Sequence, residues 1–309
     1  MKKILIIGGD GYVGSRLCLD LADQFDVTSL DIGWFNKPTE KTIIGDFKNY
    51  SSDFYKVFDS IILLAGHSSV NMCEEEIQNA FKNNVSNFLD LLSKIGASQK
   101  FIYASSSSVY GNSGSSKVDE GNRDFVPHNH YDITKHIIDL YVPKFDIQYY
   151  GLRFGTVNGY SPNTRSDVMI NSMIYNAKVN GEIKLYIKDV MRPILGISDL
   201  SLAVQKILGS SLDQRGIYNL ASFNKTAEEI AVGISKYAGY QIKEFDNNSM
   251  PIMNSKLQTK SYNFSIDCSK FEKNFDFKFS DTVESISEEI INNFDRIIFS
   301  NRSNVKEYK

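Results

Sequence analysis

Short, continuous apolar runs alternate with longer amphipathic stretches through the first half of this chain. Lys3–Ile7, Asp26–Leu30, Ser60–Ala65, Lys100–Ala104 and Ile147–Leu152 lack the strict polar alternation of a strand wetted on one face. Strands covered on both faces look like this. Between them, Gly14–Gln24, Glu75–Ile95 and Tyr131–Tyr141 carry apolar residues at helical spacing. Such strand–helix alternation predicts an α/β fold built on a doubly wound parallel sheet. After Gly155 the rhythm loosens, Asn and Ser become common, and Gly181–Ile187 and Gly216–Leu220 read as isolated sheet pieces. The expected division is a first domain over residues 1–155 and a smaller C-terminal mixed α/β lobe over 156–309. A strand and helices of the second part can cross back to the first.

The first apolar run ends in Gly8-Gly9-Asp10-Gly11-Tyr12-Val13-Gly14, immediately before a helix pattern. Glycines at 8, 11 and 14 leave room for a tight turn, for a pyrophosphate against backbone N–H groups and for close helix–strand packing. The helix N-terminus adds partial positive charge. Spaced glycines alone are weak, but between a strand and a helix they indicate a Rossmann-type dinucleotide site. The second run ends at Asp31, where a carboxylate can hold both adenosine ribose hydroxyls and repel a 2′-phosphate. No Arg follows; Ile32-Gly33-Trp34 does, so NAD is expected rather than NADP. A solvated strand-end aspartate is the plainer alternative.

Tyr131 and Lys135 stand four residues apart, hence on one helix face. With 17 tyrosines in the chain such a pair means little alone. Its weight comes from Ser105-Ser106-Ser107-Ser108-Val109-Tyr110-Gly111, which closes the Lys100–Ala104 run. Ligands bind at the carboxyl ends of parallel strands.

Composition narrows the partners. A net charge of −3 over 309 residues argues against nucleic acid, which needs a basic face. Cys18, Cys73 and Cys268 form no CxxC pair and no metal-ligand spacing, so reduced thiols and no metal are expected. The apolar run after Met1-Lys2-Lys3 breaks at Gly8, and nowhere do eighteen apolar residues follow one another. No membrane partner and a cytoplasmic location are expected.

Together these elements resemble the extended short-chain dehydrogenase/reductases, in their NAD-dependent epimerase/dehydratase branch acting on nucleotide sugars. The resemblance covers most of the chain. It runs through Gly8/Gly11/Gly14, Asp31, Gly45-Asp46-Phe47, Leu64-Ala65-Gly66, Asn84-Val85, Val109-Tyr110-Gly111, Tyr131/Lys135 and Leu152-Arg153-Phe154. It implies NAD contacts from Gly8, Gly11, Tyr12, Val13, Asp31, Ile32, Asp46, Phe47, Leu64, Ala65, Gly66, Asn84, Tyr131 and Lys135. It also implies catalysis by Ser106, Tyr131 and Lys135, with Ser106 five residues before Gly111. Tyr131 would act as a phenolate, its pKa lowered by Lys135 and the nicotinamide, and Ser106 would orient the reacting oxygen. Substrate contacts are implied at His67, Ser107, Asn171, Arg192 and Lys260. For His67 a structural role is equally open, and Lys260 replaces the Arg of many relatives. Cys73 and Trp34 are left as packing residues.

The resemblance also bears on the reaction. Ser107-Ser108 stand where sugar 4,6-dehydratases carry Asp-Glu, which disfavours dehydration. What it implies is oxidation at a sugar hydroxyl, C4 above others, of a GDP- or UDP-linked sugar. Net release of the 4-keto sugar is the leading expectation and 4-epimerisation the alternative. Overall similarity to GDP-heptose C4 oxidation points toward capsular polysaccharide synthesis. A non-catalytic NAD-sensing protein is a third reading, opposed by the intact Ser106, Tyr131 and Lys135. A homodimer or homotetramer would pair the helices Glu75–Ile95 and Tyr131–Tyr141. Phe81, Val85, Phe88 and Leu92 are spaced to form such a face, or to fill the core.

Overall fold

A computed structural model describes residues 1–35, 40–114, 116–210, 214–245 and 263–299. Five strands open the fold: β1 (Lys3–Ile7), β2 (Asp26–Asp31), β3 (Thr42–Ile44), β4 (Ser60–Leu63) and β5 (Lys100–Ser106). They are followed by β6 (Lys117–Val118), β7 (Gln148–Phe154), β8 (Thr156–Asn158), β9 (Glu182–Leu185), β10 (Met191–Gly196) and β11 (Gly216–Leu220). β12 (Phe223–Thr226), β13 (Gln241–Glu244) and β14 (Ser265–Ile266) complete the described set. A seven-stranded sheet in the order β11-β7-β5-β4-β1-β2-β3 forms the centre. All its pairings are parallel.

The continuous apolar character of β1 has a direct cause. Ile4 and Ile6 face one layer, with Leu17, Leu21 and the helix Ile197–Gly209. Leu5 and Ile7 face the other, with Phe88, Leu91 and Ile138. Each fully buried aliphatic side chain contributes roughly 1.5–3 kcal/mol, so neither face can turn polar cheaply. A third apolar cluster joins Ile170, Ile174, Ile194, Ile230 and Ile286, and holds the C-terminal helices around the small β8-β10-β12 sheet.

Two elements differ from the sequence pattern. Gly216–Leu220 is no isolated piece: it pairs along its whole length with β7 as an edge of the main sheet. The long helix expected over Glu75–Ile95 is broken into Val70–Glu75, Ile77–Phe81, a π-helical turn Lys82–Ser86 and Asn87–Leu92. A π turn is a usual device for presenting a functional residue, and here it turns the buried Asn84 toward the end of β4. Val85, Phe88 and Leu92 lie in the core, while Phe81 is 47% exposed. Among the described residues no helix is long and apolar enough to cross a membrane.

Candidate active site

A cavity of about 740 Å³ lies across the carboxyl ends of the central strands. Its floor is the glycine turn. Gly8 has φ +86°, and a Cβ there would stand 2.6 Å from Ala65 N. A Cβ on Gly14 would overlap Gly8 O. The turn is therefore a cradle that any side chain would fill, at the N-terminus of the helix Tyr12–Leu21, and it suits a pyrophosphate. Tyr12, Val13, Leu64, Ala65 and Gly66 line the same floor.

Asp31 ends β2 at the cavity wall, with Ile32, Asp46 and Phe47 beside it. Its carboxylate accepts from Asp10 N at 3.1 Å and from Gly33 N at 3.0 Å, which fixes its direction. Asp46 caps the turn Phe47–Asn49 by accepting from Lys48 N at 3.2 Å and pairs with Lys48 Nζ at 2.6 Å. The glycine cradle and the Asp31 carboxylate on the cavity wall together fit a dinucleotide.

Ser106, Tyr131 and Lys135 converge on the cavity. β5 delivers Ser106 at its last position, and the helix His130–Tyr141 delivers the other two one turn apart. Asn129 starts that helix by accepting from Asp132 N at 2.9 Å. Lys135 Nζ donates to Ala104 O at 2.7 Å and lies 5.8 Å from the Tyr131 ring centre. Burial pushes the Tyr131 phenol up to about 12, against a hydrogen bond from Ser106 and the charge of Arg165. Burial brings Lys135 down to about 8, against Cys73 and Asp139. Among these groups desolvation of the anion is the largest effect on the phenol, ahead of Ser106 and Arg165.

A buried network braces this strand end. Asp139 accepts from Tyr103 Oη and Ser105 Oγ, both at 3.0 Å, and from Arg153 Nε at 2.8 Å. Arg153 Nη1 donates to Tyr110 Oη at 2.7 Å, and Tyr110 donates to Asn219 Oδ1 at 2.8 Å.

Of the expected substrate residues, His67, Ser107 and Arg192 line the cavity. Lys260 lies outside the described residues. Asn171, and Asn84 among the residues expected to contact NAD, do not line the cavity. Asn84 accepts from His67 N at 2.8 Å and donates to His67 O at 3.1 Å and Thr134 Oγ1 at 3.2 Å, tying the β4 loop to the helix His130–Tyr141. Asn171 accepts from Gly159 N at 3.0 Å and donates to Tyr12 Oη and Arg165 O, so its amide is spent beneath the cavity. The sequence reading missed Arg165, which lines the cavity, pairs with Asp167 at 2.7 Å and faces Tyr131 electrostatically. An Arg-x-Asp pair in an Asn/Ser-rich stretch was its only signal. Cys18 and Cys73 are buried and Cys268 half-buried, all as free thiols.

A family model for the NAD-dependent epimerase/dehydratase family matches residues 4–221. A UDP-glucose 4-epimerase of Rhizobium leguminosarum bv. trifolii is 33% identical over 163 residues, 49% of this chain and 49% of that protein. The chain thus aligns with about half the length of that curated relative. The structure of MoeE5 in complex with UDP-glucuronic acid and NAD superposes with a TM-score of 0.81 at 18% identity, over 95% of this chain and 99% of that one. The UDP-glucuronic acid 4-epimerase of Bacillus cereus, in complex with UDP-glucuronic acid and NAD, gives a TM-score of 0.77 at 21% identity, over 95% and 99%.

Proposed function

This chain belongs to the NAD-dependent epimerase/dehydratase family, enzymes of the extended short-chain dehydrogenase/reductase type, and we propose that it is a 4-epimerase of a nucleotide-diphosphate sugar. The observation that carries the reading is the meeting of Ser106, Tyr131 and Lys135 in the cavity that also holds the glycine cradle and Asp31. NAD, when bound, supplies the hydride acceptor and a positive nicotinamide.

The chain's own groups do the rest. The Tyr131 phenolic oxygen receives the proton of the C4 hydroxyl, and Ser106 holds the reacting oxygen in line with it. Lys135, anchored on Ala104 O, holds the nicotinamide ribose. Asp31 holds the adenosine ribose, and the Arg192 guanidinium on the cavity wall suits a diphosphate. His67 and Ser107 face the sugar. Residues 1–155 form the NAD-binding part, and the lobe of residues 156–309 completes the substrate site beside it, with β11 crossing back.

Net release of a 4-keto sugar, the leading expectation from sequence, shares this half-reaction. The 4-epimerase names among the relatives favour return of the hydride to the opposite face. They also favour UDP over GDP as the carrier, and none of those reported names a heptose or a capsule. Exposed Ile77, Phe81, Ile133 and Tyr141 on the two helix surfaces support a homodimer. The test is incubation with UDP-glucose and UDP-glucuronic acid, followed by chromatography of the sugars and NADH absorbance. A C4 stereoisomer without lasting NADH supports epimerisation. A keto sugar with stoichiometric NADH supports net oxidation and replaces this reading.

A further inference from the structure

Exposed apolar surface in the cavity is gathered at one end. Among the described residues, the large apolar side chains that are both exposed and in the cavity lining are Ile32 and Trp34, at 47% and 44% exposed. Both follow closely on Asp31, the last residue of β2. Gly33, at φ +83°, bends the chain between them, and its N–H on Asp31 Oδ1 at 3.0 Å holds the bend against the carboxylate. Gly45 N donates to Asp31 O at 2.8 Å, so the lining residues Gly45, Asp46 and Phe47 start from the same strand end. Trp34, expected from sequence to pack, is instead a partly solvated indole on the cofactor cavity.

The order of groups along NAD says what covers this surface. Pyrophosphate, adenosine ribose and adenine follow one another in the molecule. With the pyrophosphate on the glycine turn and the ribose on Asp31, the adenine comes next, beside Ile32, Trp34 and Phe35. Adenine is flat, and its faces match an indole in size and polarity. We propose that Trp34 stacks on the adenine of NAD and is the contact that keeps the cofactor on the protein between half-reactions. The inference rests on NAD as the cofactor, and not on which sugar is turned over. The glycine turn and Asp31 hold polar groups that water solvates almost as well, so their net gain on binding is modest. The indole adds apolar burial that water cannot replace. In the epimerisation proposed above the hydride returns to the carbon it left, which requires an NAD that does not leave in between.

Trp34 is the single tryptophan of the chain, so tryptophan fluorescence of the full chain reports on it alone. Nucleotide-free protein is titrated with NAD, with ADP-ribose, which keeps the adenine but lacks nicotinamide, and with NMN, which lacks the adenine. NAD and ADP-ribose should each shift the emission and remove most of its quenching by acrylamide, and NMN should do neither. By calorimetry, Trp34→Ala should bind NAD and ADP-ribose roughly tenfold to a hundredfold more weakly, the scale of base–aromatic stacking. Trp34→Phe, which keeps an aromatic face, should stay within about threefold of wild type. Acrylamide quenching unchanged at saturating ADP-ribose, or wild-type NAD affinity in Trp34→Ala, overturns the proposal. So does shielding that follows protein concentration instead of ligand, because a second copy would then be what covers the indole. Neither readout involves sugar turnover, so failure of the epimerase reading and failure of this one are told apart.

Discussion

Arg153 donates from Nε to Asp139 Oδ2 at 2.8 Å, deep under the strand end that carries Ser106, with side chains 5% and 2% exposed. Removing one partner strands a desolvated charge, at a cost of about 3–5 kcal/mol. Arg153→Met should therefore lower stability to urea by that order and weaken turnover by loosening Ser105 and Tyr110. Arg153→Met combined with Asp139→Leu should recover part of the stability. Equilibrium unfolding of both variants checks this.

Lys135 places function against stability. Its folded pKa of about 8 lies below the ordinary lysine value of 10.5. Between those values the unfolded chain binds more protons, so stability rises as pH climbs through that window and is lowest below it. Lys135→Met should abolish turnover and raise stability at neutral pH by on the order of 1–3 kcal/mol, with the gain shrinking as pH approaches the upper value. Thermal melts across pH measure it; a Tm at neutral pH below wild type contradicts it.

Tyr131 follows the opposite sign. A phenol raised to about 12 in the folded state, from 10.0, adds stability that is fully present below the lower value. It is lost as pH rises through the upper one. Tyr131→Phe should remove that alkaline loss while keeping NAD affinity within about twofold and lowering kcat by roughly 10²–10⁴-fold. Alkaline melts and fluorescence titration with NAD separate the three effects.

Asp31→Asn keeps the side chain's shape but removes its charge. Hydrogen bonds to charged groups are worth about 1.5–3 kcal/mol, so NAD affinity should fall roughly tenfold to a hundredfold and the preference over NADP should narrow. Titration with both cofactors checks it; an unchanged ratio would leave Asp31 a structural strand end.

Local spacing made the nucleotide end legible. Gly8 follows β1 and Gly14 lies in the next helix, both where a Cβ would meet backbone, Asp31 ends β2, and Tyr131 and Lys135 share one helix face. Side-chain direction was not legible. Asn84 and Asn171 lie in the neighbourhood the sequence indicated, yet both spend their amides on backbone groups under the cavity. Arg165 and the Ser108–Asp132 bond depend on loops brought together only by the fold. Gly216–Leu220 joined the main sheet because its buried Tyr218 and Leu220 needed the same apolar layer as β7.

The most direct measurement of the central claim uses UDP-glucose and UDP-glucuronic acid carrying deuterium on C4. Epimerisation through Ser106, Tyr131 and Lys135 predicts that the stereoisomer keeps its deuterium at C4 and that Tyr131→Phe forms almost none. Deuterium appearing in released NADH beside a keto sugar, or a C4 stereoisomer that has exchanged its label with solvent, would contradict it.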